Sequence, residues 1–588
     1  MAWSPHPLIR CFAFYRPHMR LFVISTLVAM VVNLSLPVTQ YIIGLAIHDL
    51  EQGLAVVRLT DGTLDLSRAW MWVVWLLGFA LVRGLVQYGG SILGMILGQR
   101  LLHDLRASLL AKVQQLDQAY HLTHGTGEIV TRTTRDSDKV RDAVVGGWRT
   151  LLETALVIIG CLGMLAYYHV LLAAVPFALV IVGVWWFVAQ ARHLVTLDRA
   201  AGDAYDIVTQ ELAEGVGGVR VIKSFALEDV RITGFKHAIK GYTTPARHAL
   251  QYAVWRLPLP QMLVGMGHVW ILWYGTTLVA ANTINIGELV AALMIITAII
   301  FRVENVGRTM QTFAEAGASA ERIMQILDAV PAISSATDHL PLGPLGVQFD
   351  AISVRSPTGA TVLNNLSLTI IPGSVVALVG PTGCGKSTLA SLLPRLIDPQ
   401  QGRVAFGCDE TTWCDARTLD LTNLRQRVQV VYQDSFLFSD TVRANLLLGQ
   451  PSASDADIHA ALSAAHAHDI IASLPDGLNT IIGERGATLS GGQRQRLCLA
   501  RALIAKPAVL CLDDATSALD AVTERHILNH LRQPNGGTTV LVIASKLSTI
   551  LLADRVIMLD DGHIAADGTH TSLLAQSPTY RELLGGVA

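Results

Sequence analysis

The sequence predicts two joined parts of different class: an all-α, six-helix transmembrane domain, followed by an α/β P-loop domain. Three observations carry this. Of 588 residues, 51% are hydrophobic and only 15% charged, with a mean hydropathy of +0.44, whereas soluble chains sit near about 25% charged. The apolar excess is concentrated in six long runs in the first half of the chain. Beyond them, short β-rich runs alternate with helical ones under glycine and proline punctuation, and one run leads into a glycine-rich loop.

A membrane span needs about 20 predominantly apolar residues to cross a hydrocarbon core of about 30 Å. The segments 20–48, 70–98, 141–167, 169–190, 253–281 and 287–308 meet that requirement. The first follows Arg10, Arg16 and Arg20, lacks a small-residue cleavage site and is too long for a signal h-region, so it reads as a retained signal anchor. An even number of spans puts both termini on one side, and the arginines place that side in the cytoplasm. The loop 49–68 sets Asp49, Glu51, Asp61 and Asp65 against Arg58 and Arg68, a sparse basic content that fits the outside. The stretches 99–140 and 191–250 have apolar residues at three- and four-residue spacing and read as helical continuations of the spans into the cytoplasm. Arg83, Glu153, Arg256, His268, Arg302 and Glu304 fall inside the predicted spans, where ionisable groups face a cavity, a partner charge or the interface. The transmembrane domain is therefore expected over 1–330, a linker over 331–345 ("PAISSATDHLPLGPL"), and the second domain over 346–588.

A formal net charge of -2 argues against a nucleic-acid partner, whose binding surface is normally basic. The seven cysteines, at 11, 161, 384, 408, 414, 498 and 511, contain no C-x-x-C pair and read as reduced thiols.

The stretch "VVALVGPTGCGKSTLA" (375–390) is a strand, a glycine loop and the start of a helix, with the spacing G-x-x-x-x-G-K-[ST]. Glycines let backbone N–H groups close around phosphate oxygens, and the helix N-terminus adds favourable partial charge. Gly380, Pro381, Thr382, Gly383, Cys384, Gly385, Lys386, Ser387 and Thr388 form the candidate phosphate site. Lys386 supplies a cation to the β- and γ-phosphates, and the Ser387 hydroxyl suits Mg²⁺. Downstream, "LCLDDATSALD" (510–520) ends an apolar run in Asp513, a carboxylate placed for Mg²⁺.

With "TLSGGQRQRLCLARAL" (488–503) between them, the chain resembles an ATP-binding cassette (ABC) transporter, specifically an exporter-type half-transporter of the type IV fold, over nearly its whole length. The resemblance implies ATP and Mg²⁺ as cofactors and ATP hydrolysis coupled to transport. Residue by residue, it implies that Gln433 in "VVYQD" touches Mg²⁺ with Ser387 and Asp513. It implies that Ser490, Gly491, Gly492 and Gln493 contact ATP bound by a second subunit. It also implies that "TIIGERG" (480–486) meets the intracellular helices, and that 125–138 and 211–230 carry the coupling helices.

Three positions depart from the family pattern. Asp514 stands where the general base is glutamate, one methylene longer. Ser545 in "VIASKLSTI" takes the place of the switch histidine. Ser356 in "ISVRSPTGATVL" takes the place of the aromatic that stacks on adenine. The expectation is a subunit of a heterodimer that binds ATP in a degenerate site of its own and completes a competent site on its partner. That partner, a second ABC half-transporter, would carry the intact Glu and His and a degenerate signature. The expected setting is the cell (inner or plasma) membrane and its lipid bilayer, with the ATP-binding domain in the cytoplasm. The cargo is expected to be an amphipathic compound, lipid or peptide, moved outward. The alternatives are uptake on the same fold, as for siderophores, and an ATP-gated regulatory or channel protein.

Overall fold

The computed structural model describes residues 6–58, 64–356, 359–409, 412–483, 486–531, 537–544 and 546–584. Two compact units emerge from the chain path, one formed by 1–114 with 126–329 and the other by 115–125 with 330–588.

The first unit is helical apart from a short antiparallel pair, Val57–Arg58 with Leu64–Asp65. Its main elements are α1 (Met19–Glu51), α2 (Ser67–Gln115), α3 (Trp148–Tyr168), α4 (Val170–Gly217), α5 (Pro258–Ala280) and α6 (Ile286–Asp328). Six helices among the described residues are long and apolar enough to cross a membrane. With 49 residues at a rise of about 1.5 Å each, α2 is about 70 Å long, more than twice the hydrocarbon thickness. Helices therefore do continue well beyond the spans. The helix leading into α3 is not uniform: Gly125 adopts φ +68 and breaks it, and two π-helical turns, Arg132–Asp136 and Asp142–Gly147, follow.

At the centre of this unit, α6 packs against α1, α3, α4 and α5. Val157, Cys161, Leu165, Leu172, Val264, Ile271, Ile295, Ile296 and Ile299 form its fully or almost fully buried core. Lipid tails are as apolar as leucine, so helices in a bilayer associate through close packing over small residues. Here a Cβ on Gly287 would fall 2.0 Å from the Gly44 carbonyl oxygen, so α1 and α6 touch backbone to backbone. By contrast, the first half of α2 turns Trp70, Trp75, Leu81 and Leu85 away from the rest of the chain.

In the second unit a six-stranded sheet lies beside a smaller antiparallel one. The strands are β1 (Gly346–Arg355), β2 (Thr361–Ile370), β3 (Val375–Val379), β4 (Gln401–Gly407), β5 (Cys414–Asp415), β6 (Val428–Val431), β7 (Val509–Asp513), β8 (Thr539–Ile543), β9 (Arg555–Asp560) and β10 (His563–Gly568). The large sheet has the order β10-β9-β3-β8-β7-β6, parallel except at its β10 edge; the small one runs β2-β1-β4-β5. Every residue of β3, β7 and β8 is buried. Val375, Ala377, Leu510, Leu512, Val540 and Val542 join one core, and Val376, Leu378, Val509, Cys511, Leu541 and Ile543 the other. A parallel sheet covered on both faces requires this: alternating side chains are all buried, so the sequence is a continuous apolar run. Because β3, β8, β7 and β6 are parallel neighbours, the loops that follow them gather along one edge.

Residues 115–125 group with the second unit. The helical stretch that groups with the nucleotide-binding fold lies immediately upstream of 125–138, and Gly125 at φ +68 marks the break between them. Apolar periodicity runs through both stretches and does not register that break.

Candidate nucleotide site

Four loops at the strand ends enclose a cavity of about 350 Å³. The loop after β3 supplies Gly380, Thr382, Gly383, Gly385, Lys386, Ser387 and Thr388; the loop after β6 supplies Gln433; β7 ends in Asp513 and Asp514; and Ile543 and Ala544 close the floor from β8. Sequence spacing alone left these positions up to about 160 residues apart, and the parallel order brings them together.

Backbone conformation explains the glycines. Gly380 sits at φ +152, and a Cβ there would lie 2.1 Å from the Leu559 carbonyl oxygen. At Gly385, φ is +104 and a Cβ would meet the Leu363 side chain at 2.6 Å. Both positions are closed to other residues, so the loop can wrap tightly before the short helix α7 (Lys386–Leu392) begins. The Lys386 ammonium donates to the carbonyls of Gly380 (2.8 Å) and Pro381 (2.7 Å), which keeps it at the loop mouth. Pro381 thus contributes through its backbone, and Cys384 is buried beneath Gly380 without lining the cavity.

Asp513 is 5% exposed. Burial pushes its carboxyl upward, the Asp514 charge adds to this, and the Ser387 hydroxyl bond and the Lys386 charge hold it down. A carboxylate, a hydroxyl and the exposed amide of Gln433 around one cavity are oxygen donors of the kind Mg²⁺ takes. Asp514 is a non-glycine residue at φ +48, in the left-handed region that aspartate tolerates better than most, and its N–H donates to the Ile543 carbonyl at 3.2 Å.

Ser356 does not line this cavity. It borders an adjoining hollow of about 740 Å³ together with Val362, Ser387 and Thr388. Ser545 lies outside the described residues, as do Glu484 and Arg485 of the 480–486 stretch. Ser490, Gly491, Gly492 and Gln493 also stand apart from the cavity. Ser490 caps α8 (Gly491–Ile504) in a reciprocal pair: its N–H donates to Gln493 Oε1 at 2.8 Å, and its Oγ accepts from the Gln493 N–H at 3.3 Å. Ile543, Ala544 and Val362 were missed in the sequence because apolar strand ends carry no chemical signature.

Inside the helical unit, the predicted intramembrane charges separate into paired and unpaired ones. Arg149 donates to Glu153 (2.7 Å) and to the Gly90 carbonyl (3.2 Å). Glu304 accepts from Gln261 (3.0 Å) and Arg308 (2.8 Å), and His268 meets Thr297 at 2.9 Å. Arg302 donates to the neutral Asn33 Oδ1 at 3.1 Å, and Arg83 lies close enough to feel its charge. Among the described residues neither Arg83 nor Arg302 has a carboxylate partner, and the Arg83 Nε is buried with no hydrogen bond.

Comparison with known proteins places both units. Residues 22–303 match the family model for the ABC transporter transmembrane region, and residues 363–517 the ABC transporter model. The chain is 32% identical to an ATP-dependent lipid A-core flippase of Thiobacillus denitrificans, over 99% of this chain and 98% of that one. It is also 32% identical to the ABC transporter ATP-binding protein YknU of Bacillus subtilis, covering 90% and 91% of the two chains. A solved structure of a bacterial Atm1-family ABC exporter with ATP bound superposes with a TM-score of 0.83 at 25% identity, covering 97% of this chain and 99% of that one.

Proposed function

Given that this chain belongs to the ABC transporter family, as a multi-pass exporter-type half-transporter that couples ATP hydrolysis to transport, we propose that it is the degenerate-site subunit of a heterodimer. The observation that carries this is a pattern in the sequence: Asp514, Ser545 and Ser356 all depart from the family pattern, while the Ser490–Gln493 segment is intact. Aspartate holds its carboxylate one methylene back, and a misplacement of about 1 Å at a reacting centre costs roughly 10²-fold. A serine hydroxyl at 545 is too short to do the work of an imidazole, and Ser356 offers no ring face to adenine. ATP therefore binds here chiefly through its phosphates. Gly380 to Thr388 cradle them, and Ser387, Gln433 and Asp513 would hold Mg²⁺, which neutralises phosphate charge when bound. Fast hydrolysis takes place on a second half-transporter that carries Glu and His at the matching positions. Functionally, 1–330 is the transport domain, 331–345 the linker and 346–588 the ATPase domain. Tagged chain expressed from its native genetic context should copurify with a different half-transporter in equal amount. A homodimer of this chain alone, turning over ATP as fast as its relatives, would sink the reading.

The orientation that follows is a cell membrane protein with both termini and the ATPase domain in the cytoplasm. It rests on the arginines before the first span and the sparse basic content of 49–68. Cysteines introduced into 49–68 should react with an impermeant maleimide added to intact cells, and cysteines in 99–140 should not. The reverse pattern contradicts the orientation.

The cargo class is an amphipathic compound with an anionic head, exported or flipped outward. Two arginines within a membrane bundle and without a carboxylate are costly, and such groups mark a ligand path. An anion arriving between Arg83 and Arg302 relieves their repulsion. The similarity to relatives named as lipid A-core flippases supports a lipid-like tail.

A further inference from the structure

Outside the residues that line the nucleotide cavity is a carboxylate that none of the roles above uses. Glu524, on the first turn of α9 (Ala521–Leu531), is 0% exposed. Three hydroxyls converge on it: Thr516 Oγ1 at 2.7 Å, Ser548 Oγ at 2.9 Å, and Thr549 Oγ1. Among the described residues no cation pairs with it. A buried carboxylate is expensive to desolvate, and an apolar residue of similar volume often holds a fold equally well. Packing alone therefore gives no reason for the acid.

Its donors identify what it holds. Thr516 sits in the turn after β7, two residues past Asp514, and Ser548 and Thr549 lie in the segment after β8. A second tie runs parallel: the Lys546 ammonium donates to the carbonyls of Thr516 (3.0 Å) and Leu519 (2.9 Å). The same turn is the seat of α8. Gln495 accepts from the Ala518 N–H at 3.0 Å and donates to Ser517 Oγ at 3.1 Å. A Cβ at Gly492 would lie 2.9 Å from the Ala518 carbonyl oxygen, so the helix start rests directly on that turn. The carboxylate thus fixes a turn, and the turn fixes the helix that Ser490 caps.

We propose that Glu524 is a positioning residue for ATP hydrolysis: it locks the 514–519 turn so that α8 presents Ser490 to the nucleotide of the second subunit. Glu524 touches no substrate. Its effect is on the placement of a phosphate-facing helix N-terminus, where small displacements are felt strongly. The inference rests on Ser490 acting at the partner's site, which Ser490→Arg tests separately.

The experiment uses the full-length protein in its assembled complex, with Glu524→Ala, Glu524→Gln and the pair Ser548→Ala/Thr549→Val. Each is read by steady-state kcat and KM for ATP, by binding of a fluorescent ATP analogue, and by thermal midpoint. Glu524→Ala is expected to lower kcat by on the order of tenfold to a hundredfold with analogue binding unchanged. Glu524→Gln should restore most of the rate, because its amide oxygen still accepts and the facing hydroxyls can reverse direction. A fall in thermal midpoint with kcat intact, or a loss confined to binding or KM, overturns the proposal. Where Glu524→Ala does not fold, the hydroxyl pair decides, and unchanged kcat overturns it. If Ser490→Arg abolishes turnover and Glu524→Ala does not, the positioning role fails alone; if Ser490→Arg spares turnover, the assignment of Ser490 fails first.

Discussion

Placing arginine at Ser490 will reduce ATP turnover of the assembled transporter by roughly 10²-fold or more, whereas Asp514→Asn will lower it only modestly. Two effects act at 490. The serine caps a 14-residue helix through a reciprocal bond with Gln493, and its loss costs about 1 kcal/mol of local order. More decisively, on the proposed trans role a hydroxyl and a helix N-terminus that would meet the partner's γ-phosphate are replaced by a bulky side chain. Ser490→Thr, which keeps both hydroxyl and cap, should retain most of the rate and so separates the two effects. On the proposed reading, the carboxylate at 514 is one methylene short of glutamate and the sequence has Ser545 in place of the switch histidine. Little rate is left there to lose. Lys386→Ala should lower nucleotide occupancy at this chain's site, counted by trapped nucleotide, more than it lowers turnover. If Asp514→Asn stops hydrolysis while Ser490→Arg spares it, the two sites have been assigned the wrong way round.

Removing the charge at 302 will uncouple cargo from hydrolysis. In proteoliposomes, an anionic amphiphile such as a phosphorylated glycolipid is expected to stimulate the wild-type ATPase, and a zwitterionic phosphatidylcholine is not. Arg302→Ala should weaken the apparent affinity for the anionic compound by roughly tenfold, as befits losing one charge-assisted hydrogen bond in a low-dielectric site. Arg302→Lys should retain much of it, since the charge survives. Arg149→Ala tests the geometry: Arg149 already serves Glu153 and the Gly90 carbonyl, so its loss should act through α2 and α3 packing and lower the thermal midpoint. Equal stimulation of Arg302→Ala by anionic and zwitterionic lipid would remove the anion-site reading.

The phosphate loop and the apolar spans could be read directly because both are local. Gly380 to Thr388 is a contiguous chemical pattern, and a bilayer demands about 20 apolar residues in a row. The both-faces-buried strands β3 and β7 are legible for the same reason, as unbroken apolar runs. What the sequence withheld is relational. That Asp513 and Gln433 share a cavity with Lys386 follows from strand order, which no spacing encodes. That Arg302 meets Asn33, whereas Arg149 has Glu153, depends on how helices are rotated against each other. Nothing in the local sequence marks Glu524 as buried; its three hydroxyl partners come from two separate segments. Gly125, one residue within a helical pattern, set the limit of the stretch that travels with the second unit.

The backbone contact between Gly44 and Gly287 has a mechanical meaning for a transporter that must open alternately to two sides. Two helices whose main chains touch have no side-chain layer to shear through, and sliding either past the other would drive a carbonyl oxygen into a Cα. The contact therefore resists relative sliding of these two helices. The compliance needed for opening must come from where the bundle grips least. In this chain that is the upper length of α2, whose tryptophans and leucines face outward from its own bundle.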